Sequence, residues 1–250
     1  MKRVLKLFVL MGFQSLLWSQ HTFSIVAIDS LTGEIGSAGA TCLDTVLLKG
    51  GVGALLISDI VPGIGAIHTQ AWWNPENQKA ARKRMELGET PGKIIRWLVE
   101  NDDSTDNHSI SERQYGIVCV VNGKLLSAAF TGEENMPEAS HITGPGYSIQ
   151  GNILLGRAVL EDMELAFLSA KGSLADRLMA AMKGAKRPGA DSRCLAAGVS
   201  SLSAFLRVAN PGDTRSDYGQ LALDINIPAV SPGTDPIDAL QKAYDIRKNH

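Results

Sequence analysis

Residues 18–29 read Trp-Ser-Gln-His-Thr-Phe-Ser-Ile-Val-Ala-Ile-Asp, and this junction constrains the fold more than any other stretch. Before it lies a segment laid out like a secretory signal. Lys2, Arg3 and Lys6 come first, then a mostly apolar run from Leu7 to Trp18, broken by Gly12, Gln14 and Ser15. Its 12 residues suit a signal core and fall short of the roughly 20 needed to span a bilayer. Residues 22–28 are β-branched and apolar, the pattern of a core strand. No pro-segment or linker separates the two. Cleavage after Ser19 or Gln20 leaves Gln20 or His21 first, which places the new amino terminus inside the fold rather than on a loose tail. Thr22 opens that strand. A Thr, Ser or Cys at a chain terminus can attack with its own α-amine as base.

Without residues 1–20 about 230 residues remain, read as one domain over 21–250. The chain carries 24 Lys and Arg against 26 Asp and Glu; losing Lys2, Arg3 and Lys6 leaves 21 basic residues and a net charge of −5. No basic patch or tail dominates, which argues against a nucleic-acid partner. No later apolar run is long enough for a membrane span. The chain has three cysteines, so at least one is unpaired. Cys119 lies in the apolar run Ile117-Val-Cys-Val-Val121 and reads as a small core residue. Cys42 and Cys194 sit in polar segments and are candidates for a disulfide, whose geometry the sequence cannot supply.

Strands are expected over residues 22–28, 35–41, 51–58 and 63–70, the second unusually rich in Gly and Ala. Small residues in a strand point to close approach of a backbone or a ligand. Asn74-Pro75 and Thr90-Pro91 start helices reaching about Leu87 and Asn101. Residues 102–112 form a polar loop. Asn122-Gly123 between two apolar runs predicts a hairpin with a type I′ turn. A strand near Tyr147–Gln150 follows, then helices over 156–171 and from the capping box Ser173-Leu-Ala-Asp176. Strands near 203–209 and 221–227 and a helix opened by Asp235-Pro236 complete the order. That mix predicts an α+β domain with two sheets between helix layers.

Several chemistries are missing by motif. There is no Gly-x-Ser-x-Gly elbow, no Walker loop, no dinucleotide fingerprint and no His-Glu-x-x-His. No cofactor is implied, and nothing argues for a metal. Three polar segments stand at strand ends: His68-Thr-Gln70 before Trp72-Trp73-Asn74, Gln150-Gly-Asn152, and Asp191-Ser-Arg193. Amides beside glycine can donate to a developing oxyanion. Each is equally a turn or helix cap.

His21-Thr-Phe-Ser-Ile-Val-Ala27, Thr32-Gly-Glu-Ile-Gly36, Thr69-Gln-Ala-Trp72 with Asn74-Pro75, and Gly146-Tyr-Ser-Ile-Gln-Gly-Asn-Ile-Leu154 occur in that order. Together they resemble the bacterial family called domain of unknown function 1028. Thr41-Cys42 and Gly189-Ala-Asp-Ser-Arg-Cys194 resemble a secreted subgroup. The family is similar in fold to the N-terminal-nucleophile hydrolases, which implies a four-layer αββα sandwich. By that analogy Thr22 is the nucleophile, Gln150 and Asn152 serve the oxyanion, and His68, Gln70, Asn74, Asp191 and Arg193 shape the substrate pocket.

The leading expectation is therefore an exported hydrolase, periplasmic or secreted, cutting an amide-type C–N bond of a small-molecule or peptide-like substrate. His21 complicates it, because Thr22 has an α-amine only if His21 is also removed. The alternative is a non-catalytic exported binding module on the same scaffold. A lower one is a metal-dependent hydrolase built around His68. Homo-oligomer formation stays open.

Overall fold

The computed structural model describes residues 19–20, 22–44 and 52–249. The signal-like run to Trp18 lies outside the described residues, as does His21. In chain order come β1 (Ser19–Gln20), β2 (Thr22–Ile28), β3 (Ile35–Thr41), a 3-10 turn (Gly53–Ile57), β4 (Ser58–Val61) and β5 (Gly65–Trp72). The helices α1 (Pro75–Glu86) and α2 (Pro91–Glu100) follow, then β6 (Gln114–Val121), β7 (Lys124–Thr131), β8 (Ser140–Gly144) and β9 (Tyr147–Gly151). α3 (Ala158–Ser169), α4 (Leu174–Ala185), β10 (Ser203–Ala209), β11 (Leu223–Ile227) and α5 (Pro236–Lys248) complete the chain.

Among the described residues the strands form two antiparallel sheets. One runs β1-β5-β6-β7, with β4 also paired to β5; the other runs β11-β10-β3-β2-β9-β8. Period-two alternation sorts their side chains. Phe23, Ile25 and Ala27 of β2 join Leu178, Met182 and Leu240 in a core under α3, α4 and α5. Ile67 of β5 and Tyr115, Ile117 and Cys119 of β6 pack with Ala81, Met85, Ile94 and Leu98 of α1 and α2. The opposite faces meet between the sheets, where Val26 and Ile28 touch Ile60, Ala66 and Val118. The result is a four-layer αββα sandwich, the architecture that the element order and the family resemblance predict.

Local signals account for most boundaries. The Asn74 side chain accepts from the backbone N–H groups of Glu76 and Asn77 at the start of α1. Ser173 and Asp176 form the reciprocal capping box of α4. Asn122 and Gly123 both take positive φ, as a type I′ turn requires. Two expectations need correction. Residues 53–57 turn as a 3-10 helix rather than extending as a strand. Gly53 has φ +58°, Ala54 N–H donates to Ser203 Oγ, and the Val52 carbonyl accepts from Asn226 Nδ2. These bonds to β10 and β11 replace a ladder, while Ala54, Leu55 and Ile57 bury against Phe205. The small residues of β3, in turn, admit side chains rather than a ligand. A Cβ at Gly39 would meet Phe205 Cε1 at 2.9 Å and Ser24 Cβ at 3.0 Å, and Gly36 lies beneath Leu174 and Leu178 of α4.

Candidate active site

The space between the sheets changes character along its length. Toward Ile28 it is apolar. Toward Thr22 it is polar, with Thr22, Ser24, Ser37, His68, Gln70, Gln114, Ser148, Gln150 and Asn152 all buried. The cause is the inner-face alternation on each strand. Ser24 follows Thr22 on β2, Gln70 follows His68 on β5, and Gln150 follows Ser148 on β9.

These groups form one directed hydrogen-bond network. Gln150 Nε2 donates to Ser24 Oγ (2.7 Å) and the Ser24 carbonyl (3.3 Å). Ser24 Oγ donates to Gln70 Oε1 (2.7 Å). Gln70 Nε2 donates to the Thr22 carbonyl (3.3 Å) and to Gln114 Oε1 (2.8 Å). Asn152 Nδ2 also donates to Gln114 Oε1 (2.9 Å), and Asn152 N–H to the Thr22 carbonyl (3.1 Å). Backbone carbonyls can only accept, so the contacts to Ser24 and Thr22 fix the amide orientations of Gln150 and Gln70. The inner face of β6 is cut back to admit this network. A Cβ at Gly116 would fall on the Gln150 amide.

Thr22 is the exception. Its Oγ1 is buried and has no hydrogen-bond partner. Buried hydroxyls are nearly always satisfied, and an orphan carries a cost of about 1–3 kcal/mol.

His68 is sealed between the sheets. Gln150 Nε2 donates to its Nδ1 (3.1 Å), so the proton sits on Nε2, which donates to Ser37 Oγ at 2.6 Å. Ser37 Oγ also shares a hydrogen bond with Ser58 Oγ (2.8 Å). A histidine that activates a serine needs the reverse, with its orienting partner accepting from Nδ1. Ser37 and His68 are therefore not a nucleophile–base pair. Both ring nitrogens are engaged, and no three His, Cys, Asp or Glu side chains converge on a metal-sized site among the described residues.

Burial, reinforced by the positive field of Arg207, pushes the His68 pKa down to about 3. The unfolded value is about 6.5, so between these pH values the unfolded chain binds one more proton than the native one. Stability from this group is complete above pH 6.5 and is lost as pH falls toward 3. Wild type is expected to lose about 2 kcal/mol more than His68→Gln between pH 7 and pH 5. Urea midpoints of both proteins at the two pH values measure it; equal losses refute it.

The remaining sequence candidates divide. Asp191 and Arg193 reach the same sheet end. Asp191 Oδ2 accepts from Cys42 N–H (2.9 Å) and from Arg193 Nη2 (2.6 Å). Arg193 Nη2 also donates to Thr41 Oγ1 (3.3 Å), and Thr41 is the register partner of Thr22. Asn74 does not join them. Its oxygen caps α1, and its amide donates to the Asp103 carbonyl and to Asp106.

Cys42 and Cys194 form a disulfide with a Cα–Cα distance of 5.8 Å and a sequence separation of 152. Cross-linking so long a loop contributes about 3–5 kcal/mol. Reduction is expected to lower the urea midpoint by that equivalent, and a midpoint unmoved by reductant would refute it. Cys119 remains a buried free thiol, its pKa pushed up to about 11 by burial.

Two residues escaped the sequence reading. Gln114 carries the acceptor shared by Gln70 and Asn152. Arg113, fully buried, bonds Asp102 (2.8 Å), Asp106 (2.9 Å) and the Trp72 carbonyl (2.7 Å). The alternation Gln114, Gly116, Val118 on β6 was the available signal for Gln114, since it places that residue on the inner face.

The fold and this polar end define a class: an αββα sandwich whose first inner strand begins with a threonine. The family model DUF1028, described as a family of unknown function, matches residues 22–240. The chain belongs to that family. It is similar to the crystal structure of protein SPO2555 from Silicibacter pomeroyi, also matched to DUF1028, with 25% identity over 90% of this chain and 88% of that chain and a TM-score of 0.68. It also aligns with Anbu (ancestral beta-subunit) from Yersinia bercovieri at 10% identity and TM-score 0.45, over 90% of this chain and 94% of that chain. Anbu from Hyphomicrobium sp. strain MC1 aligns at 11% identity and TM-score 0.42, over 91% and 95%. No match is found among curated proteins.

Proposed function

We propose that this chain is an exported hydrolase of an amide-type C–N bond with Thr22 as its nucleophile. The observation that carries the reading is the place of the orphan Thr22 Oγ1, a buried hydroxyl without a partner at the start of β2; Thr69 Oγ1 and Ser140 Oγ are unpartnered too, but neither stands at the head of that strand. Catalytic groups are where such costs recur. Processing that removes the chain through His21 frees the Thr22 α-amine beside this hydroxyl. The unperturbed amine pKa is near 8, and desolvation lowers it toward neutrality. Such processing also removes β1, which pairs with β5 at Ala71 and Trp72.

In the reaction the amine takes the Oγ1 proton as oxygen attacks the substrate carbonyl. Asn152 is assigned to the resulting oxyanion, since the Gln150 amide is directed at Ser24 and His68. Collapse breaks the C–N bond, and the ammonium returns its proton to the leaving nitrogen. Water then hydrolyses the Thr22 ester. The Cys42–Cys194 disulfide supports export, because such bonds persist in oxidising compartments.

The test is the intact mass and N-terminal sequence of protein exported by a bacterial host. A chain starting at Thr22 is expected. A start at Gln20 or His21 leaves no amine base and overturns the mechanism. The full burial of Thr22 favours a second reading, an exported binding module on this scaffold. That reading is separated by ligand-dependent thermal stabilisation without any acyl adduct at Thr22.

A further inference from the structure

Several side chains bridge the inner layer at its polar end, among them the pairs Ser24–Gln70 and Gln150–His68; Gln114 bridges it beside Thr22. It is fully buried at the start of β6, on the sheet opposite Thr22. Its Nε2 lies 2.9 Å from the Gly151 carbonyl, 3.1 Å from the Ser140 carbonyl and 3.0 Å from Thr131 Oγ1. Two of these are carbonyls, so the nitrogen must point there and Oε1 must point back toward β2. There it accepts from both Gln70 and Asn152. Those two residues also hold the Thr22 carbonyl, one through its side chain and one through its backbone N–H. One amide thus ties β6, β8 and β9 to the two groups that grip Thr22.

We infer that Gln114 is a positioning residue of the Thr22 site, holding the Asn152 and Gln70 amides in register with the nucleophile. The inference rests on the Thr22 reading for its catalytic meaning but not for its physical content. Gln114 touches no reacting atom; it acts through Asn152 and Gln70. Removing its acceptor takes away the oxygen that Gln70 Nε2 and Asn152 Nδ2 share, so both amides shift toward other partners or water. A group displaced by an ångström at a reacting centre costs about 10²-fold in rate.

The experiment uses processed protein from a bacterial host in three forms: wild type, Gln114→Met and Gln114→Glu. Methionine keeps the volume and loses both polar functions. Glutamic acid, held protonated by burial, keeps the carbonyl acceptor and one donor. Two quantities are read: solvent exchange of the Asn152 and Gln70 side-chain amide protons by NMR, and the rate of Thr22 acylation by a β-lactone, followed by intact mass. In Gln114→Met both amides are expected to exchange at least about 10-fold faster while backbone amides of β2 and β9 stay protected. Acylation is expected to slow by about 10²-fold. Gln114→Glu is expected to restore slow exchange. Unchanged Asn152 and Gln70 exchange in Gln114→Met overturns the inference, as does fast exchange in Gln114→Glu that matches the methionine variant. If Gln114→Met does not fold, Gln114→Leu takes its place, and Asn152 and Gln70 exchange unchanged from wild type in that variant overturns the inference. Absence of any adduct on wild type sinks the Thr22 nucleophile alone; the exchange data still decide Gln114.

Discussion

Thr22→Val is expected to lower acylation at residue 22 by at least about 10³-fold and to make the protein more stable, by about 1 kcal/mol. The two effects have one cause. Valine has nearly the outline of threonine, so packing against the β3 register partner Thr41 is kept. What disappears is a hydroxyl that is buried and has no hydrogen-bond partner. Burying such a group costs free energy that no contact offsets, and a methyl in its place carries no such cost. The same oxygen is the proposed attacking atom, so its removal ends covalent chemistry. Urea denaturation and intact-mass measurement with a β-lactone check the pair together. A variant that loses more than about 1 kcal/mol would mean that the hydroxyl is held by the native network. A variant that still acylates would remove Thr22 from the mechanism. Ser24→Ala provides the contrast. Ser24 Oγ both donates to Gln70 and accepts from Gln150, so its loss should destabilise.

Much of this architecture is legible in local sequence because its signals are short-range. Asn74-Pro75, Ser173 with Asp176, and Asn122-Gly123 each fix a boundary through contacts within three residues. The ends of β2 and β3 fall where their apolar and small-residue runs begin and end. Residues 53–57 defeat that reading. An apolar run alone does not distinguish a strand from a buried turn, and here bonds to Ser203 and Asn226, far along the chain, decide. β8 was missed because Ser140–Gly144 is short, half-buried and without clean alternation.

The site follows the same division. Gln70, Gln150, Asn152 and His68 announce themselves as polar groups at strand ends. Gln114 does not, since a glutamine before the apolar run of a hairpin looks like a solvated start. Its importance comes from a contact across sheets, with Asn152 38 residues away. Asn74 illustrates the converse. A residue that suits a helix cap and a pocket equally is here spent on the cap and on the loop of residues 102–106.

Arg113→Met is expected to cost roughly 3–5 kcal/mol, a large share of the total for a domain whose net stability is about 5–15 kcal/mol. The guanidinium is fully buried and satisfies Asp102, Asp106 and the carbonyls of Trp72, Asp103 and His108. Burial opposes its charge, yet the hydrogen bonds it donates to Asp106 and Asp102 hold its pKa above the ordinary arginine value. Methionine fills the volume but abandons two carboxylates and three carbonyls at once. Arg113→Lys should recover little, because one ammonium cannot reproduce a planar fork with five donors. Asp106→Asn should cost far less, about 1 kcal/mol or under, since that carboxyl is 30% exposed and water replaces part of the bond. Urea midpoints for the three variants, at constant m, test the order. An Arg113→Met loss no larger than that of Asp106→Asn would mean that the loop of residues 102–112 is not anchored from below. The effect should also reach the site. Arg113 Nη1 holds the Trp72 carbonyl at the end of β5, two residues beyond Gln70, with Ala71 between them at φ +75°. A backbone in that region persists for a non-glycine residue only when its surroundings hold it. Without Arg113 the Trp72 end of β5 loses one of its holds, beside the β1 pairing at Ala71 and Trp72, and the strand end that aims Gln70 at Thr22 loosens. Side-chain exchange at Gln70 should therefore rise in Arg113→Met and stay slow in Asp106→Asn.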